Sequence, residues 1–254
     1  MFKNINTQNK AEYDEFLTET QTKTKSRSIL SGALLWVALG LIFLALFTYL
    51  EAKTMFFANM VENNTQTVVI VGIIAIIFIL IGNFTVYFMP WWLVLIYYIT
   101  FTMVEGIYIG YILLYAFQDF TTAEFTLLLA IPGGAVLIMG LLGYFNVINF
   151  GKIWPLILGL FIAILVFGII SYFVSNHLYF AMYASIGFLA YSLMIGFQVW
   201  KIKRMDEDYI GAASLSFGDY MKTTLIIGTS LLVSILELIR YTFILIKLAK
   251  VFKN

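Results

Sequence analysis

The chain is built from long apolar runs separated by short polar breaks. Seven runs are free or nearly free of charge, at about residues 29–50, 67–88, 91–116, 125–145, 153–174, 179–200 and 223–249. A helix of about 20 residues crosses a hydrocarbon core ~30 Å thick, so each run is long enough to span one. Unpaired backbone groups in lipid cost several kcal/mol each, which leaves helix as the open-chain solution. A membrane β-barrel needs every second residue apolar in runs of about ten. The stretch Thr67–Gly82 (TVVIVGIIAIIFILIG) shows no such alternation. The pattern therefore predicts an all-α integral membrane protein with seven transmembrane helices. Residues 1–28 break the pattern, with Lys3, Lys10, Lys23, Lys25 and Arg27 set against Glu12, Asp14, Glu15 and Glu19. They read as a polar cytoplasmic tail, too long and too polar for a signal peptide. The expected division is a tail at 1–28, a transmembrane domain at 29–249 and a short basic tail at 250–254. Pro132-Gly133-Gly134 falls inside the fourth run, where it allows a kink or close packing.

Composition sharpens this. The 254 residues are 62% hydrophobic and 11% charged, against about 45–50% and about 25% in soluble domains. So few charges cannot cover a soluble fold, and the bias is opposite to that of a disordered chain. A net charge of +1 implies no nucleic-acid partner. There is no cysteine, and His177 is the single histidine, so thiolate or histidine-cluster metal sites are not expected. No cofactor is expected. With the N-terminus in the cytoplasm, that side carries the five basic residues of the tail with Lys152, Lys201, Lys203, Arg204 and Lys222. The other side carries Lys53, Lys247, Lys250 and Lys253. The positive-inside rule favours this orientation, in a multi-pass protein of, by expectation, a bacterial plasma membrane.

Ionisable groups at membrane depth are costly and mark functional sites by default. Three qualify: Glu105 in the third run, and Glu237 and Arg240 in the seventh. At 1.5 Å per residue, Glu105 and Glu237 each lie about 21 Å along their helices and Arg240 about 26 Å, at similar heights. Glu237 and Arg240 are three apart and share a face. Two acids and one base leave one excess negative charge, which a low-dielectric site tolerates only with a proton, a cation or water beside it. One reading is a glutamate that titrates near neutral pH and gates or binds a cation. The competing reading is an ion pair that only fixes helix packing. Gly106 and Gly110, like Gly140 and Gly143, read as close-packing positions. Trp91, Trp92, Tyr97, Tyr98 and Trp200 read as an interface belt. Lys201–Asp208 (KIKRMDED) reads as a topology signal with a solvated loop, and His177 as a loop residue. Enzymes fail on residues: there is no His-Glu-x-x-His, and Asp14, Asp119, Asp206, Asp208 and Asp219 all fall in loops or the tail.

Four segments carry a resemblance. They are FTMVEGIYIGYILLY (Phe101–Tyr115), GYFNVINFGKIWPLILGLFIAIL (Gly143–Leu165), FLAYSLMIGFQVWKI (Phe188–Ile202) and ILELIRYTFIL (Ile235–Leu245). With the seven-run layout, over about residues 29–249, they resemble the Bax inhibitor-1/YccA family of small membrane proteins. The resemblance implies a bundle with its last helix central. It also implies a pH-sensitive calcium leak governed by facing acids on the sixth and seventh helices. Glu237 falls where the seventh-helix acid would be, and Arg240 where the family has an asparagine. Gly196 falls where the sixth-helix acid would be, so the paired acids are absent as usually drawn, and Glu105 is the candidate for the second carboxylate. The expectation is a pH-sensitive leak channel or exchanger for calcium ions or protons. The alternative is a non-conducting protein that modulates a membrane protease or other membrane partner through residues 1–28 and 201–222. Arg240 placed between the two carboxylates would rule out a proton shared directly by them.

Overall fold

The computed structural model describes residues 28–63, 85–174, 176–208 and 215–253, which form helices and short connections with no strand among them. The elements are α1 (Ile29–Thr54), α2 (Phe56–Asn63), α3 (Trp91–Asp119), α4 (Thr122–Tyr144), α5 (Phe150–Val174), α6 (His177–Asp208) and α7 (Phe217–Lys253). Five of them, α1, α3, α4, α5 and α6, contain stretches long and apolar enough to cross a membrane, the mark of a multi-pass membrane protein. Two expectations fall outside the described residues: the tail, apart from Ser28, and most of the run at 67–88. What is described of that run, residues 85–88, forms a turn ahead of Pro90.

Local chemistry sets the helix ends. Ser28 caps α1. Asp206 of α6 reinforces that cap by accepting from the Ile29 and Leu30 amides at 2.7 and 3.3 Å and from the Ser28 hydroxyl at 2.8 Å. A carboxylate suits the positive end of a helix dipole. Residues 201–208 are thus the last turns of α6 and not a solvated loop, with a Lys203–Glu207 pair at 3.5 Å along them. The expected tail at 250–254 is likewise helical as far as Lys253. At the other end of α1, Met55 adopts φ 48°, and the Glu51 carboxylate accepts from the Phe57 amide at 2.9 and 3.1 Å. This turns the chain into α2. A capping box of Thr121 and Glu124 starts α4, and Glu124 also pairs with Lys250 at 2.8 Å.

Packing centres on α6 and α7. Helix α7 contacts α1, α3, α4 and α6, and α6 also contacts α1, α4 and α5. One apolar core joins α1, α3 and α7 through Leu44, Val94, Tyr98, Leu225, Leu232 and Leu236. A second joins α1, α6 and α7 through Ile29, Ala33, Val37, Ile202 and Leu231. Tyr97 and Tyr98 are therefore core residues and not part of a belt. Gly106 and Gly110 do mark a close crossing, since a Cβ at either would lie about 3 Å or less from α1 atoms. The Thr48 hydroxyl donates to the Gly106 carbonyl across it. Gly133, Gly134 and Gly140 face open space, so they hold no neighbour close, and α4 continues through the buried Pro132. Leu137, Leu165 and Ile169, on α4 and α5, are more than 60% exposed, as lipid-facing side chains are.

Both termini of α7 are anchored. At its start Phe217 packs edge-on against Trp91, and Lys222 donates to the Tyr87 carbonyl. At its end Lys250 reaches the Asp119 carbonyl and Glu124, and Phe252 meets His177. His177 is the exposed first residue of α6. Helix α7 thus runs the height of the bundle, about 55 Å for 37 residues.

Candidate functional site

The three charges expected at membrane depth meet. Arg240 Nη1 donates to Glu237 Oε1 at 2.8 Å, one turn away on α7, and Arg240 Nη2 donates to Glu105 Oε2 of α3 at 3.3 Å. The guanidinium also lies 4.8 Å from the centre of the Tyr108 ring, in cation–π contact. The three side chains are only 13–26% exposed. Arg240 lies between the carboxylates, so the two acids do not share a proton directly. The guanidinium fork, with one nitrogen for each carboxylate, is the geometry that lysine cannot supply. The formal sum remains one negative charge. Around the cluster stand Tyr191 and Tyr183 of α6 and Tyr241 of α7, whose hydroxyl donates to that of Tyr183 at 3.4 Å.

Position 196 has a steric account. A Cβ on Gly196 would lie 2.4 Å from the Phe150 ring and 3.2 Å from the Met139 carbonyl, while a Cβ on Gly143 would meet the Gly196 carbonyl at 2.4 Å. Here α4 and α6 touch backbone to backbone and the Phe150 ring of α5 closes over them, which leaves no room for a carboxylate. A second acid reaches Glu237's neighbourhood from α3 instead.

Polar residues that the search for charges passed over complete the site. Gln198 of α6 is buried, and its Nε2 donates to Ser230 Oγ at 2.7 Å and Ser234 Oγ at 3.3 Å. Its Oε1 and Arg240 Nε are buried without a hydrogen-bond partner among the described residues. Such atoms are rare and costly unless water reaches them. The signal was present in the sequence: Ser230, Ser234 and Glu237 repeat at helical spacing on one face of α7, and Gln198 interrupts an apolar run. Neutral polar residues at membrane depth carry the same information as charged ones, more weakly.

Three cavities follow α7. One of about 500 Å3 is lined by Lys222, Ile226 and Ser230 with Lys201 and Gln198. The next, about 280 Å3, shares Ile226, Ser230 and Gln198 and continues past Val233 and Ser234 to Tyr191. Beyond the charged cluster a third, about 580 Å3, is lined by Arg240, Ile244 and Lys247 with Tyr108 and Tyr183. Residues 222, 226, 230, 233, 237, 240, 244 and 247 thus form one stripe at three- and four-residue spacing. It covers about 38 Å, more than a hydrocarbon core, and the Glu105–Arg240–Glu237 cluster interrupts it. Among the described residues no group of three or more His, Cys, Asp or Glu is arranged to hold a metal ion. Comparison with protein-family models and with curated proteins finds no match to this chain.

Proposed function

We propose that the chain is a seven-helix membrane protein of the Bax inhibitor-1/YccA type. We propose that it carries a proton-sensitive cation leak along the face of α7, with the proton as the ion carried. The observation that supports this most is the stripe of cavities on α7 that the charged cluster interrupts. The charge pattern favours protons over calcium. Lys201 and Lys222 line one mouth, Lys247 lines the other, and Arg240 stands between them, all repelling a divalent ion. Hydroxyls and the Gln198 amide instead offer a hydrogen-bonded route for water and protons. The Lys201–Lys222 end faces the cytoplasm in this reading, on the balance of basic residues.

Arg240 is the barrier. Ionised, Glu105 and Glu237 hold the guanidinium across the path. Protonation of either carboxyl removes one of its two charge-assisted bonds and frees it to turn toward the other partner. The titrating group, Glu237, faces Arg240 and Tyr241 on its own helix, Glu105 on α3 and Tyr191 on α6. The purified chain in proteoliposomes should pass protons faster as pH falls. Glu237→Gln should leak at neutral pH and lose most of the pH dependence. Unchanged flux and an unchanged pH profile in that variant would overturn the assignment, and a folded protein that passes no ion at any pH would favour a non-conducting role.

A further inference from the structure

The cavity at the Lys201–Lys222 end has, besides its polar side, an apolar wall that a water path does not need. Trp154 of α5 stacks on Phe197 of α6 at 4.5 Å and 25°, and Ile202, Met205 and Ile227 continue the apolar lining. Its volume of about 500 Å3 lies within the range of small-molecule sites. At its rim are two ammonium groups. Lys222 spends one hydrogen bond on the Tyr87 carbonyl, at 2.6 Å. Neither it nor Lys201 has a carboxylate partner among the described residues.

The neighbouring charges are engaged elsewhere. Asp206 is turned to the α1 amides, Asp219 to Ser216, and Glu207 to Lys203. Arg204 lies over the Trp200 ring at 4.4 Å. Two cations thus stand at the mouth of an apolar cleft between helices, where Asp206, Asp219 and Glu207 are each already used. Bilayers supply the complementary molecule. Basic pockets between membrane helices hold anionic headgroups, and the apolar walls suit an acyl chain.

We propose that this cleft is a binding site for an anionic phospholipid, with its phosphate held by Lys201 and Lys222 and one acyl chain lying along Trp154 and Phe197. Binding there does not require that the chain conduct. A lipid seated there covers Ser230 and Gln198 and so closes that mouth of the α7 path, which would make the bilayer's anionic lipid a brake on any leak.

The test uses the full-length chain in a neutral detergent, with phosphatidylglycerol and phosphatidylcholine of identical chains, and counts bound lipid by native mass spectrometry. Each ammonium near a phosphate is worth about fivefold in affinity, so the pair gives phosphatidylglycerol a preference of roughly thirtyfold. Lys201→Gln with Lys222→Gln should abolish that preference, whereas Lys152→Gln, an exposed lysine at the same end, should keep it. Should the double variant fail to fold, Lys201→Gln alone should lower the preference about fivefold. Phosphatidylglycerol with brominated chains should quench tryptophan fluorescence, and Trp154→Phe should remove a large share of that quenching. Equal binding of the two lipids, a preference that survives loss of the lysines, or quenching unchanged in Trp154→Phe would each overturn the proposal.

Discussion

Arg240 decides what its two glutamates do. Without the guanidinium, Glu105 and Glu237 become two carboxylates at one depth with nothing between them, and one must take up a proton or a cation. Arg240→Gln should therefore leak constitutively if the cluster is the barrier, and Arg240→Lys should only partly close the path, because an ammonium cannot fork to both acids. Flux in proteoliposomes separates the two. Gln198 gives the complementary prediction. Gln198→Leu removes an amide oxygen that has no partner among the described residues together with the Nε2 bonds to Ser230 and Ser234, effects of opposite sign, so the variant should unfold in detergent close to the temperature of the parent. Its proton flux should nevertheless fall, because the cavity beside Ser230 and Ser234 becomes drier. A variant that is less stable with unchanged flux would contradict that role. Gly196→Ala should destabilise by about 1–3 kcal/mol through overpacking on Phe150, measurable by thermal unfolding. Phe150→Leu beside it should recover part of the loss. The family resemblance expects an acid at position 196, but only the contact with Phe150 and Met139 shows why an acid cannot stand there.

At the scale of elements, α1 and α3 to α7 were legible from uninterrupted apolarity, while the short α2 and the helix ends were not. Helix α6 runs eight residues past its apolar run because Lys203 and Glu207 pair along it and Asp206 caps α1. Both are tertiary or near-tertiary facts that charge counting reads as a loop. Asp206→Ala should cost α1 about 1 kcal/mol through loss of capping, seen as faster amide exchange at Ile29 and Leu30 with the cluster near Arg240 unaffected. Glu51, just past the first apolar run, reads as a loop residue for the same reason. It is 2% exposed and holds the turn at Met55, a role set by backbone geometry and not by the residues around it in sequence. Gly106 and Gly110 were legible as packing positions because a small residue every fourth position has one common use in membrane helices. Tyr97 and Tyr98 were not legible as core, since a tyrosine near a helix end serves a belt equally well.

For the whole molecule, scarcity of charge was the informative quantity. The height of each charge could be counted from the helical rise, and the three that fell together do form one cluster. Who stands between whom could not be counted, because it depends on the rotation of α3 against α7. The continuous face of α7 was partly visible as Ser230, Ser234, Glu237 and Arg240. The cavities on it are a property of how α3 and α6 flank that face. In the proposed function this face is a wet path closed at Arg240, and the absence of cysteine makes that directly measurable. Single cysteines at Ser230 and Ile244, with Leu238 as a buried control, would be exposed to a membrane-impermeant thiol reagent from each side in turn. Position 230 should react only from the Lys201 side and position 244 only from the other. Arg240→Gln should let the reagent reach both positions from either side, while position 238 stays inert throughout. Positions 230 and 244 reacting no faster than 238, from either side and with or without Arg240, would contradict the wet path.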